Sequence, residues 1–384
     1  MKKFNFNKNK ILQISIILVF VILMCTPQIV FFFVKNKIPV DNSENRKLAK
    51  KPEFIFENLK TYPSKYEKYY MDNLPFRGIL RTAYAKLNYF CFNDPNSNRV
   101  LIGKNDGSKE TTWLFYQDNN NGNSVREAQG KIEFTEDEEE KFYNKMNEQT
   151  KQCSDKGIQL FYMICPDKEN IYKDKLPDNV NIYNENSRTD KLVDWLINDK
   201  NITNLIYPRN ELKDARKNFN SYCRQDTHWN NYGAFIAFQK LMEKTEPNNN
   251  INFENVETEK RQLEFNNEDL TKMTGIKNVF KDESYNVKYL EDKEINKIKN
   301  DYYFLETYND NPIIDKNIMI IGDSFRFAMQ NYLSKTYRVV ASMDRNVYKT
   351  EMIEKYKPDI IVLQNVERYT GKKALLVDLK IDDE

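Results

Sequence analysis

A chain of 384 residues in which 59 Lys and Arg face 57 Asp and Glu lacks the basic excess of a nucleic-acid binder, and that class is set aside. The length suits one large domain with an appendage, or two domains. One histidine and five cysteines (Cys25, Cys91, Cys153, Cys165, Cys223), none in a CxxC spacing, argue against a zinc site, and no metal or cofactor is expected.

Residues 1–10 carry four lysines and no acid, and residues 11–34 run without a charge (ILQISIILVFVILMCTPQIVFFFV). At about 1.5 Å per residue that stretch makes roughly 36 Å of helix, enough to cross a bilayer. A cleaved signal would have a shorter apolar core and a small-residue cleavage site. The expectation is therefore a cytoplasmic tail over 1–10 and one uncleaved transmembrane anchor over 11–34, with the rest of the chain extracytoplasmic. Lysines flank both ends of the span, so the positive-inside rule adds a modest preference for that orientation. Of the four cysteines beyond the anchor, three pairings are open, as is the free, buried state.

Residues 35–98 read as a membrane-proximal helical stalk. Tyr62, Tyr66, Tyr69 and Tyr70 have helical spacing, Pro75 interrupts, and 77–90 form a second helix. The turn-rich 93–98 marks a boundary, and 99–384 form the main domain. There, 100–116 predict two short strands around Asn105-Asp106-Gly107. Thr135 and Glu138 fit a capping box, and the acidic run 136–140 is the solvated first turn of a helix that Gly157 ends. A buried strand covers 158–164, and a loop follows over 165–168. A helix is expected over 190–198, a strand over 202–206, and a helix over 232–244. Residues 265–305 show no assignable period. The tail alternates: strand 318–321, helix 325–333, strand 338–342, helix 349–356, strand 359–363. Such alternation predicts a mainly parallel sheet covered on both faces, with functional groups beyond the carboxyl ends of its strands. Ser324 and Lys168 fall there.

The chemistry concentrates in two stretches. Residues 223–242 (CRQDTHWNNYGAFIAFQKLM) hold His228, the only histidine, two places after Asp226. Residues 318–325 (IMIIGDSF) run from a strand through Gly322 to Ser324. A serine hydroxyl needs a neighbouring base to act as a nucleophile, His228 titrates near neutrality, and Asp226 can orient it. Ser324 opens a helix, so its own N–H is free for an oxyanion. Taken singly, Gly-Asp-Ser also fits an ordinary turn, and His228 beside Trp229 a structural residue.

Gly-Asp-Ser after a strand and Asp-x-His in a loop resemble the marks of SGNH-type esterases and acyltransferases. Here the histidine precedes the serine, which resembles the alginate O-acetyltransferase group, AlgJ/AlgX, and its DHHW-type bacterial relatives. ENRKLAKKPEF with YYMDNLPFR, TTWLFYQD, CPDKENIYKDKLP and KPDIIVLQNVERY are similar to family segments in the same order, over roughly 44–369. The resemblance implies an SGNH hydrolase-like three-layer α/β/α fold with a mainly parallel sheet. It implies Ser324 as nucleophile, His228 as base and Asp226 as its orienter. The reaction implied is a membrane-anchored, extracytoplasmic O-acetyl transfer to a cell-surface or secreted polysaccharide. The donor implied is a multi-membrane-spanning partner of the membrane-bound O-acyltransferase (MBOAT) type. Thr227 stands where the second His of the DHHW name would be. Asn346, in MDRNVY, is the candidate second oxyanion donor. Lys168, Glu367 and Arg368 match family positions; Lys168 and Arg368 are candidates for the substrate side, with a structural ion pair or turn as the alternative. No carbohydrate-binding domain is read after Tyr369, so alginate itself is not implied. The same residues also fit an esterase or deacetylase, and a different class, a non-catalytic glycan-binding or assembly subunit, stays open.

Overall fold

The structure is a computed structural model and describes residues 8–34, 48–74, 76–120, 122–249, 251–372, 377 and 379. The first seven residues, the segment 35–47 with the start of ENRKLAKKPEF, and Pro75 lie outside the described residues. Two compact units emerge, residues 1–96 with 274–277, and residues 97–273 with 278–384.

In the first unit, α1 (Lys8–Val34) contains one stretch, Lys10–Phe31, long and apolar enough to cross a membrane. Two further helices follow, α2 (Tyr62–Asp72) and α3 (Arg77–Phe92). The three- and four-residue spacing of the tyrosines puts Tyr62, Tyr66 and Tyr69 in one column on α2, with ring centroids 5.7 and 5.8 Å apart.

The second unit begins with an antiparallel hairpin, β1 (Val100–Asn105) and β2 (Thr112–Tyr116). Next come α4 (Ser124–Ala128) and α5 (Glu136–Asp155), the latter opened by the expected Thr135–Glu138 capping box. The chain continues through β3 (Gln159–Cys165), α6 (Lys168–Ile171), α7 (Arg188–Asn198), β4 (Leu205–Ile206), α8 (Arg209–Ala215) and α9 (Asn231–Thr245). After α9 come β5 (Thr258–Lys260) and β6 (Glu264–Phe265), and the stretch without a period resolves into α10 (Asp269–Thr274), β7 (Lys281–Asp282), β8 (Tyr285–Val287) and β9 (Asn296–Asn300). The tail supplies β10 (Phe304–Tyr308), β11 (Ile314–Gly322), α11 (Arg326–Thr336), β12 (Tyr337–Asp344), α12 (Glu351–Tyr356) and β13 (Ile360–Val366).

Among the described residues the main sheet runs β4-β3-β13-β11-β12-β10-β9. From β4 to β12 all neighbours are parallel, and β10 and β9 add an antiparallel edge. Successive residues of a strand face opposite sides, and both sides here are apolar. Ile318 and Ile320 of β11 join Phe238 and Leu241 of α9 and Met329 and Leu333 of α11 on one face. Met319 and Ile321 join Met146 of α5, Leu196 of α7 and Ile353 of α12 on the other. Covering both faces is why these strands read as unbroken apolar runs rather than alternations. The result is the three-layer α/β/α arrangement with a mainly parallel sheet. The antiparallel edge escaped sequence reading because β9, NKIKN, is exposed along its whole length and carries no apolar period.

Candidate active site

Three parallel strands end side by side and aim their following residues at the same edge. Strand β11 ends at Gly322, where a Cβ would lie 2.3 Å from Gln364 Oε1 and 2.8 Å from the Gln364 carbonyl oxygen of β13. Only glycine lets the two strands approach this closely. The next residue, Asp323, is consumed by its surroundings. Its carboxylate accepts the Phe325 N–H (3.0 Å), the Gln364 side-chain amide (2.9 Å) and the Val366 N–H (2.7 Å). The turn is thus pinned to β13. Ser324 is left half-exposed at the start of the α11 turn, its carbonyl already accepting from Phe327 N–H at 3.1 Å.

His228 comes from the loop between α8 and α9. The Tyr222–Trp229 bridge and the Cys223 N–H to His228 O bond (3.2 Å) close that loop on itself. The helix after it starts at Asn230, whose side chain caps the Gly233 N–H at 3.0 Å. Gly233 is required there, since a Cβ would sit 2.0 Å from the Ser221 carbonyl oxygen. From outside, Leu114 N–H bonds the Arg224 carbonyl (2.9 Å), and the Arg224 guanidinium bonds Asp106 and Asp282 at 2.8 Å each. Lys168 completes the clamp. Fully buried, it donates to the carbonyls of Cys223 (3.2 Å), Arg224 (3.0 Å) and Asp226 (2.6 Å). Those are the three donors an ammonium has. Lys168 therefore buttresses the loop and has no N–H left for a substrate, a correction to the substrate-side reading.

The geometry at the centre follows from the two-residue spacing. Asp226 Oδ1 accepts both the His228 backbone N–H (2.9 Å) and His228 Nδ1–H (2.6 Å), a local Asx-type turn that fixes the ring. That bond leaves Nε2 as the acceptor, and it meets Ser324 Oγ at 2.6 Å. Trp229 ties the two halves together, its Nε1–H donating to the Phe325 carbonyl at 3.1 Å. Burial works to raise the Asp226 carboxyl, but the His228 hydrogen bond and charge, with the His228 and Asp269 amides, hold it down at about 2. Burial would likewise favour the neutral His228 ring; the Asp226 hydrogen bond and charge outweigh it and raise the imidazole above its ordinary value. A charged Asp226 beside a readily protonated His228 is the polarity a proton relay from Ser324 needs.

Asp269, at the start of α10, is a neighbour that sequence reading missed. Its backbone N–H donates to Asp226 Oδ2 (3.3 Å), and its carboxylate accepts the Thr227 N–H (3.0 Å) and hydroxyl (2.5 Å). Asp226, His228 and Asp269 each place a donor atom within 4.8 Å of the others, the spacing of a metal cluster. The imidazole nitrogens are, however, engaged by Asp226 and Ser324, and Asp269 by Thr227, so the set is satisfied internally as hydrogen bonds.

Past the end of β13, Arg368 forms a buried ion pair with Asp167, which follows β3. The structural alternative given for Arg368 is thus present, yet its guanidinium also lies 5.9 Å from the Phe325 ring centroid and its Nε has no hydrogen-bond partner. Its charge is felt at His228. Glu367 points away into a buried network, accepting the Ser187 hydroxyl (2.6 Å), the Asn170 amide (3.0 Å) and the Asp167 N–H (2.8 Å). Burial, with Asp190 and Asp167 nearby, pushes Glu367 up to about 8. Burial against the pull of Arg368 leaves Asp167 at about 7. Asn346 stands apart: it is exposed, and its side-chain amide donates to Asp344 at 2.7 Å. The structure does not hydrogen-bond it to Ser324 or His228. All five cysteines are free, with Cys153 and Cys165 buried.

A doubly covered, mainly parallel sheet with a Gly-Asp-Ser turn after a central strand and an Asp-x-His loop beside it defines an SGNH hydrolase-like domain. The profile described as "SGNH hydrolase-like domain, acetyltransferase AlgX" matches residues 107–343, more than half of the chain, and the chain belongs to that family of AlgX/AlgJ type. Two solved structures, at TM-scores of 0.50 or above, agree on the fold. Bacillus cereus PatB1 with a sulfonyl adduct superposes with a TM-score of 0.52 at 13% identity, covering 73% of this chain and 99% of that one. A DHHW family protein from Eubacterium siraeum gives 0.50 at 14% identity, covering 73% and 95%. The O-acetyltransferase domain of Pseudomonas putida AlgJ gives 0.46 at 15% identity, covering 71% and 92%. No protein of curated function matches the chain.

Proposed function

We propose that this protein is a membrane-anchored, extracytoplasmic O-acetyltransferase that moves acetyl groups through a Ser324 acyl-enzyme onto hydroxyls of a cell-surface or secreted polysaccharide. The observation that carries the reading is the unbroken relay Asp226–His228–Ser324, with both links at 2.6 Å, inside a domain of an acetyltransferase family. Ser324 Oγ attacks the acetyl carbonyl while His228 Nε2 takes its proton. The developing oxyanion is met by the Ser324 N–H at the head of α11, with Arg368 supplying positive potential from the β13 side. Collapse expels the donor group, protonated by His228, and leaves acetyl-Ser324. A sugar hydroxyl, deprotonated by the same Nε2, then attacks and regenerates the serine.

The apolar helix 11–34 anchors the domain beside a multi-membrane-spanning acyltransferase of the MBOAT type that delivers acetyl across the bilayer. In this reading residues 35–98 are the membrane-proximal segment and residues 99–384 the catalytic domain. The test is acetyl transfer by the full-length protein from an activated acetyl ester to a panel of oligosaccharides, with Ser324→Ala in parallel. Acetylated sugar that depends on Ser324 supports the proposal. Ester turnover to free acetate that ignores every acceptor assigns the site to hydrolysis instead.

A further inference from the structure

The relay has a second carboxylate. Asp269 lies 43 residues downstream of Asp226, on α10, and reaches the Asp-Thr-His turn by three hydrogen bonds, one to Asp226 and two to Thr227. Its N–H occupies Asp226 Oδ2, the oxygen that His228 does not use. Its two carboxylate oxygens take the N–H and hydroxyl of Thr227, the residue between Asp226 and His228. One of those oxygens, Oδ2, lies 3.9 Å from His228 Nδ1, outside hydrogen-bond range but within reach of its charge. Resting on the function proposed above, we propose that Asp269 is a positioning residue of this site: it locks the Asp226–Thr227–His228 turn and stabilises the imidazolium formed when His228 takes the Ser324 proton.

The other groups around the ring make the case specific. Asp226 and Thr227 face it from its own loop. Ser324 and Phe325 face it from the head of α11, the Phe325 ring centroid 4.9 Å away. Arg368, after β13, opposes protonation, and Lys168 of α6 acts on the two carboxylates and on the Asp226 carbonyl. Against those two cations, Asp269 is the negative group besides Asp226 that the structure puts beside Nδ1. Its own carboxyl is raised, by burial first and then by the charge of Asp226. Thr227, a small hydroxyl residue, is what lets the second carboxylate approach the turn and be held there.

Because His228 is the only histidine, ¹⁵N-labelled histidine in the full-length protein reports one imidazole with no assignment ambiguity. The measurement is its titration midpoint, together with the deshielded Nδ1–H proton that marks the bond to Asp226. Variants are Asp269→Asn, which keeps the backbone donor and a side-chain acceptor while removing charge, and Asp269→Ala, which removes the latch. The proposal predicts a midpoint lowered by about one pH unit in Asp269→Asn with the Nδ1–H signal retained, as expected for loss of one nearby opposite charge. It predicts a lowered midpoint with a weakened Nδ1–H signal in Asp269→Ala. The acid limb of kcat/KM in Asp269→Asn should move down by the same amount. Midpoints equal to wild type in both variants overturn the proposal. A wild-type protein without acyl transfer would count against the function proposed above, yet leaves the NMR titration able to decide the role of Asp269.

Discussion

At the imidazole, burial and the Asp226 carboxylate pull in opposite directions, and the carboxylate prevails. In the proposed reaction His228 must be neutral to accept the Ser324 proton, and its raised value predicts an acid limb of kcat/KM above the ordinary imidazole range. Asp226→Asn removes both the charge and the tautomer control. It should cut kcat by about 10⁴-fold, in line with the loss of the orienting carboxylate in serine triads, and shift the limb to lower pH. A pH–rate profile of both proteins checks the two effects together. The Asp-x-His and Gly-Asp-Ser pairs were legible in the sequence because each is a local device: a two-residue Asx turn, and a strand-to-helix corner. Asp269 was not legible. Its contacts bridge 43 residues of chain, and it stands in a stretch without helical or strand period. Lys168 was legible as a position, but not in its role, because nothing local shows that three loop carbonyls surround its ammonium.

The elements that carry the site are held by close approach and buried polar bonds. At Gly322, a methyl group meets the Gln364 backbone carbonyl as well as its movable side chain, so Gly322→Ala has no relaxed solution. The expected loss is roughly 1–3 kcal/mol of stability, read by chemical unfolding, with a disturbed Ser324 turn. Lys168→Met exchanges an ammonium for a methyl group and leaves three loop carbonyls short of a donor. It should destabilise by about 3 kcal/mol or more and reduce activity through a loosened 223–228 loop. Circular dichroism melts with activity at matched folded fractions separate the two effects. The apolar strands of the central sheet were readable as runs, and the helix after Thr135 by its capping box. The polar edge strand β9 and the two-residue pairs β6 and β7 carry too few side chains to show a period.

Across the whole molecule, buried carboxyls behind the active edge couple the fold to pH. Glu367, up at about 8, and Asp167, at about 7, bind protons more tightly in the folded state than ordinary carboxyls do in the unfolded chain. Below about pH 4 both states are protonated and the groups contribute no difference. As pH rises from there through about 8, the folded state must ionise them where burial opposes charge, and stability falls. Glu367→Gln removes that loss for one group, so its melting temperature should drop less than that of wild type between pH 6 and 9. Parallel pH dependences would contradict this. At the same scale, the apolar span Lys10–Phe31 predicts that the full-length protein floats with phosphatidylcholine vesicles and resists extraction by alkaline carbonate.

The most direct test of the account is the acyl-enzyme itself. Full-length protein is mixed with an activated acetyl ester, quenched in acid within seconds, and mapped by peptide mass spectrometry, with Ser324→Ala and His228→Ala alongside. The account predicts one acetyl group on Ser324, absent from Ser324→Ala, formed far more slowly in His228→Ala, and lost on addition of an oligosaccharide acceptor. Acetyl transfer to sugar that persists in Ser324→Ala, or an adduct on another residue that turns over with acceptor, would contradict it.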